Sequence, residues 1–229
     1  MNMATLKKLV TTAALTGILA GLLLTLIQQV RVVPLILEAE RYEQATATAP
    51  HESRVNAGDE HGAWRPENGL ARGLSTAAAN VILALGFALL LGAAVALRGA
   101  RLDWRSGLLW GLGGYVAFFL APSLGLPPQL PGTPAAALGL RQTWWAFASI
   151  STAAGLASIF FSRGRTAKAL GAVLLIAPHL VGAPKPEVAG DAAPAERAQA
   201  FLVATFITNA VFWLALGGLY GFFHRRLAD

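Results

Sequence analysis

The chain has 229 residues, 55% of them hydrophobic and only 13% charged, with a mean hydropathy of +0.54. Soluble globular chains carry about a quarter charged residues, so this composition excludes a water-soluble fold and indicates an all-α, polytopic membrane helical bundle. The absence of cysteine excludes disulfides, thiolate metal ligands and cysteine nucleophiles, and the segregation of charge described below makes the net charge of +6 a topology signal rather than a nucleic-acid footprint.

Six apolar runs are predicted as spans of a single membrane domain, 1–229: 9–33, 70–97, 107–120, 143–161, 167–181 and 200–223. About 20 apolar residues cross a bilayer core, so the third and fifth are short, and both end in proline-rich sequence. The first run follows Lys7 and Lys8 as a signal peptide would. It is too long for one, however, and passes into VRVVPLILEAE without a small-residue cleavage site, so it is predicted as an uncleaved span.

At the end of that span Thr25, Gln28, Arg31, Leu35, Glu38 and Tyr42 recur at intervals of three or four, which places them on one face if the helix continues. Pro34 bears on that continuation, because it removes a backbone donor and kinks a helix interior. Arg31 reads either as an interfacial anchor, its charge reaching the headgroups, or as a gate.

The outer loop, 38–69, is the longest segment outside the spans. It carries His51-Glu52 and Asp59-Glu60-His61. Imidazole with carboxylate suits Co²⁺, Ni²⁺ or Zn²⁺, although the spacing matches no fixed zinc motif. Such a cluster either captures metal loosely or is a solvated acidic loop in which two histidines happen to fall.

Span three ends FFLAPSLGLPP and span five ends LLIAPHLVGAP, with a weaker echo in QVRVVPLILE of span one. Each proline (Pro34, Pro122, Pro178) falls near the outer end of an outward-running helix. The inward-running partners also rhyme, Asn80 of AAANVILALG matching Asn209 of FITNAVFWLALG. The pattern is compatible with three repeated helical hairpins, or with proline simply ending helices of similar composition. If the repeat holds, three helix breaks converge and free backbone carbonyls inside a protein-lined cavity. His179, directly after Pro178, is then either a pathway ligand titrating near neutral pH or a capping group on carbonyls that the proline leaves free. Asn80 and Asn209 either coordinate a dehydrating cation or bond helix to helix. Glycines four apart (Gly17 and Gly21, Gly107 and Gly111, Gly217 and Gly221) indicate close helix crossings.

The gaps between spans set the orientation. Lys7, Lys8, Arg98, Arg101, Arg105, Arg163, Arg165, Lys168, Arg225 and Arg226 fall on one side, against only Asp103 and Asp229, while ten of the twelve acids fall on the other. Excess Lys and Arg marks the cytoplasmic side, so both termini are predicted inside. Trp64, Trp144 and Trp145 lie at predicted outer edges, Trp104 and Trp110 at inner ones, and Trp213 mid-span as a packing residue. No phosphate-binding G-x-x-x-x-G-K-[ST] loop, H-E-x-x-H or G-x-S-x-G occurs, so no enzyme is predicted and any transport draws on a gradient or a partner.

The stretches LILEAERYE, the His/Glu loop ending in AW, LAPSLGLPPQLPGTPAAALGLRQTWW, APHLVGAPKPE and TNAVFWLALGGLYG run in order through nearly the whole chain. Together they resemble the CbtA family, predicted cobalt transporter subunits of bacterial inner membranes. That resemblance implies cobalt uptake linked to cobalamin synthesis. It also implies a small single-span partner, CbtB, with a histidine-rich end. Members are often described with five spans, whereas the charge distribution here calls for six.

The expected function is an inner-membrane subunit that imports a divalent metal, with Co²⁺ as cargo and no permanently bound cofactor. His51, Glu52, Glu60 and His61 are the expected capture ligands. Glu38, His179, Asn80 and Asn209 would line the path between kinked odd-numbered spans, near Arg31, Pro122 and Pro178. Beyond CbtB, the expected partners are lipid and further copies of the chain in a homo-oligomer. The rivals are a non-transporting membrane scaffold and a permease for another cation or a small cobalt complex.

Overall fold

The computed structural model describes residues 3–47, 69–188, 190 and 193–227, and these are all helix and connection. In chain order the helices are α1 (Met3–Arg31), α2 (Val33–Ala47), α3 (Leu70–Arg98), α4 (Trp104–Tyr115), a π-helical turn (Val116–Leu120), α5 (Ala121–Ser123), α6 (Leu138–Phe161), α7 (Arg165–Val181) and α8 (Ala195–Arg226). α1, α3, the α4–α5 segment, α6 and α8 are each long and apolar enough to cross a membrane. Large apolar side chains such as Leu26, Val30, Ile82, Leu109, Ile150 and Ile207 are left exposed along them. That is the surface of a helical membrane protein, in which lipid takes the place of water at the helix faces.

The fifth predicted span is α7. Its 17 residues measure about 26 Å at 1.5 Å per residue, less than a hydrocarbon core of about 30 Å.

The helices do not pair as three consecutive hairpins. The first two spans do, α1 lying against α3, but α4 packs on α8 and α6 packs on α7. With α8 also against α1, and α6 meeting the π-turn and α5, the spans adjoin in the order two, one, six, three, four, five. The odd-numbered spans are therefore separated by their partners and do not converge on one axis.

The α1–α3, α6–α7 and α4–α8 seams are made by small residues. A Cβ on Gly17 or Gly21 would strike the backbone of Leu85 or Val81 on α3, and Gly155 of α6 and Gly171 of α7 face each other's carbonyls. On the α4–α8 seam glycine meets glycine, Gly107 and Gly111 against Gly217 and Gly221. Without hydrophobic drive between helices in lipid, such close backbone approach is the main source of adhesion.

Pro122 and Pro178 lie within helical segments and do not end them. Pro122 has no N–H and its ring would press on the carbonyl four residues back. The helix widens ahead of it into the π-turn, where the Ala121 N–H bonds Val116 O, and then runs on through Ser123. Pro178 is buried inside α7, which continues to Val181. Pro34 falls in the first turn of α2, where a missing donor costs little, and the break from α1 is the single residue Val32.

At the basic end, Asp103 caps α4. Its carboxylate accepts from the Ser106 hydroxyl (2.7 Å) and backbone N–H (2.8 Å), and the Ser106 Oγ accepts from the Asp103 N–H. These bonds, the hydroxyl's first, hold the carboxyl below its usual range.

Candidate functional site

The acidic end of the bundle is organised by α2, which carries span one's polar face onward. Glu40 takes both guanidinium nitrogens of Arg72 at the start of α3, at 2.6 and 3.1 Å. Glu38 meets Arg197 at the start of α8, at 3.1 Å. Beneath them Val32, Ala39, Leu130, Ala193 and Phe201 form a small apolar cluster of their own. The two ion pairs differ in consequence. The Glu40 pair is bidentate and half-buried, which makes it a structural tie. In the other pair Arg197 is half exposed, and an open pair of that kind contributes about 0–1 kcal/mol, so Glu38 stays displaceable by a stronger cation.

One turn deeper, Asn80 is buried between α1 and α3. Its amide donates to Gln28 Oε1 (2.7 Å) and Thr25 Oγ1 (3.0 Å), and the Thr25 hydroxyl donates to Gly21 O (2.9 Å). The arrangement is an interhelical polar clamp directly above the Gly17/Gly21 seam. Asn80→Ala is expected to lower stability in detergent by about 1 kcal/mol, since measured interhelical polar contacts average about 0.6 and reach about 1.7 kcal/mol. Thermal unfolding checks this, and an unchanged midpoint would show that the clamp holds nothing together.

Asn209 does not join the clamp. It is half-buried on α8 and donates to Thr205 O, one turn back on its own helix, at 3.0 Å. The rhyme between the two asparagines thus ends in two different roles.

His179 is exposed near the end of α7, with its ring edge-on to Trp144 of α6 at 6.2 Å. Among the described residues it hydrogen-bonds no carbonyl. α7 packs on α6, while α2 packs on α1 and α8, so His179 and Glu38 belong to different parts of the bundle. Arg31 ends α1, exposed. His51, Glu52, Glu60 and His61 lie outside the described residues. Among those described, no three of His, Asp and Glu come together as a metal cluster.

Two features escaped the sequence. Thr12 and Thr16 on α1 and Thr208 on α8 are buried, and their hydroxyls have no hydrogen-bond partner among the described residues. Ser149 and Thr152 on α6 repeat the pattern. Helical hydroxyls usually bond the carbonyl four residues back, as Ser75, Thr76 and Thr143 do here, so only their coordinates reveal that these five do not. The second feature is a groove at the acidic end, where the two proline-rich stretches after Ser123 and Val181 face the first turns of α6.

A membrane helical bundle with oxygen-bearing side chains in its interior and acidic groups at one end agrees with what comparison finds. A family model described as "Probable cobalt transporter subunit (CbtA)" matches residues 6–225. No curated protein and no solved structure matches. The match runs through all five membrane-length spans to within a residue of their outer ends, and the chain belongs to the CbtA family of probable cobalt transporter subunits.

Proposed function

We propose that this chain imports Co²⁺ across a bacterial inner membrane, in support of cobalamin synthesis, with both termini cytoplasmic and a CbtB-type single-span protein as partner subunit. The observation that carries the reading is the family match over residues 6–225, laid on a fold with five membrane-length helices. Orientation follows from the ten basic residues at one end of the spans. In this reading α7 completes a sixth span by thinning the lipid around it, at fractions of a kcal/mol per Å of mismatch.

His51, Glu52, Glu60 and His61 collect the ion, and Glu38 receives it by giving up Arg197. Oxygen ligands of the clamp and of Thr12, Thr16 and Thr208 then replace its water. Neutral oxygen and imidazole ligands release a dication more readily than thiolates would, as passage requires. The membrane potential supplies about 2.3 kcal/mol per charge per 100 mV, or about 4.6 kcal/mol for a dication.

Radioactive cobalt uptake into proteoliposomes with an inside-negative potential tests this, with the chain alone and with its partner subunit. Uptake above empty vesicles is expected, falling several-fold at low Co²⁺ in the His51→Ala/His61→Ala variant and in Glu38→Gln. His179→Ala is expected to raise the KM and leave the maximal rate, given its exposed position. Absence of uptake both with and without the partner would leave the chain a membrane scaffold. Uptake indifferent to His51, His61 and Glu38 would point to another solute.

A further inference from the structure

The groove at the acidic end has a volume of about 840 Å³, within the range of small-molecule sites, about 300–1,000 Å³. Its walls are residues 125–129 and 184–186, and its floor is the start of α6 with Arg141, Gln142 and Trp145. The charge it presents is one-sided. Arg141 and Lys185 line it, no acidic side chain does, and among the described residues no carboxylate pairs with either cation. The Arg141 Nε is buried and, among the described residues, has no hydrogen-bond partner. Arg141 as a whole is only partly buried and lines the groove, so its positive charge is available to an anion there.

The walls are preformed. Prolines 127, 128, 184 and 186 hold fixed φ angles, and Leu130 anchors the first wall in the apolar cluster beneath α2. Gly182, at φ 83°, lets the chain turn sharply out of α7. That turn brings Ala183 against Gly125, whose missing side chain is replaced by the Trp144 ring. Rigid walls reduce the ordering cost of binding. Gln129 and Gln142 add amide groups that can donate to a second carboxylate.

We infer that this groove binds a small di- or tricarboxylate anion, of the chemical class that chelates divalent metals in solution. A free dication is repelled by Arg141 and Lys185 and finds no imidazole or carboxylate on the walls. The inference rests on the transport reading, to which it adds a form of the substrate, metal held as an anionic carboxylate chelate. The binding itself is measurable whether or not cobalt is transported.

The test is isothermal titration of the full chain in neutral detergent with citrate, with the Co²⁺–citrate complex, with cobalt chloride and with a hexaglutamate peptide. Citrate and the complex are expected to bind, more weakly as salt is raised. Arg141→Gln and Lys185→Gln should each weaken both about tenfold, the effect of losing one charge-assisted hydrogen bond. Gln142→Glu alters an exposed side chain, so the fold is retained, and it should abolish citrate binding by repulsion. None of the three should change the affinity for cobalt chloride. Citrate binding that ignores all three variants, or no citrate binding at all, overturns the assignment. Binding of hexaglutamate without citrate would overturn it in favour of an acidic segment of a partner protein. Failure of cobalt uptake with citrate binding intact would instead count against the transport reading alone.

Discussion

Gly217→Leu is expected to yield little or no monodisperse protein in detergent. A Cβ at Gly217 would stand 2.7 Å from the Gly111 Cα and closer still to the Gly107 carbonyl oxygen. Both obstacles are backbone, so no rotamer change relieves the clash and α4 must move off α8. Overpacking a core costs about 1–3 kcal/mol when side chains can shift, and here the cost exceeds that because the helices themselves must separate. The loss is compounded by chemistry, since this seam carries close backbone contact and no hydrophobic drive replaces it in lipid. Gly86→Leu is the matched control. Its Cβ meets nothing within 4 Å on an exposed helix face, and removing a helical glycine gains up to about 1 kcal/mol. Comparable yields and melting temperatures for the two variants would show that the α4–α8 seam is not what holds the bundle.

Trp213→Ala is expected to destabilise the chain by about 3–5 kcal/mol, the usual cost of emptying a buried aromatic site. Trp213 is 4% exposed. It stacks on Phe118 of the π-turn with ring centroids 5.6 Å apart and meets Phe87 of α3 at 4.6 Å. Gly114 of α4 makes room for its edge, and Phe118 in turn reaches Trp145 of α6 at 6.4 Å. One side chain therefore ties α3, α4, the π-turn and α8, and through Phe118 it supports the docking of the α6–α7 pair. Denaturant or thermal unfolding in detergent measures the loss. Trp213→Phe should recover part of it, because an aromatic face against Phe118 survives. A cost below about 1 kcal/mol for Trp213→Ala would mean that the site collapses freely and that α6 is held by other contacts.

The site was partly legible. The glycine pairs named from spacing alone all lie at seams, because close approach needs an absent side chain and the spacing of four puts both absences on one helix face. The polar face from Thr25 to Glu38 was visible too, and α2 continues it past the one-residue break at Val32. What it touches was not visible. Glu38, expected to line the path, lies against Arg197, and Asn80, compatible with either cation binding or helix bonding, is bonded to Thr25 and Gln28. Pro122 and Pro178 looked like helix ends, yet a π-turn absorbs the first and α7 runs through the second. The similar motifs around them are compatible with consecutive hairpins, whereas the observed neighbours of α4 and α7 are α8 and α6.

The sequence by itself determined the class, the helical segments, the charged polarity of the two ends and the small-residue stripes. Those properties are local, since each helix satisfies its own backbone hydrogen bonds and needs only sufficient apolar length to lie in lipid. Tertiary structure alone decided which stripe meets which, which polar side chains are paired, and that two distant proline-rich stretches form one cationic groove. In lipid every helix face is comparably apolar, so partners are chosen by van der Waals fit between segments far apart in the chain. Such a fit exists only between two surfaces and is written in neither segment alone.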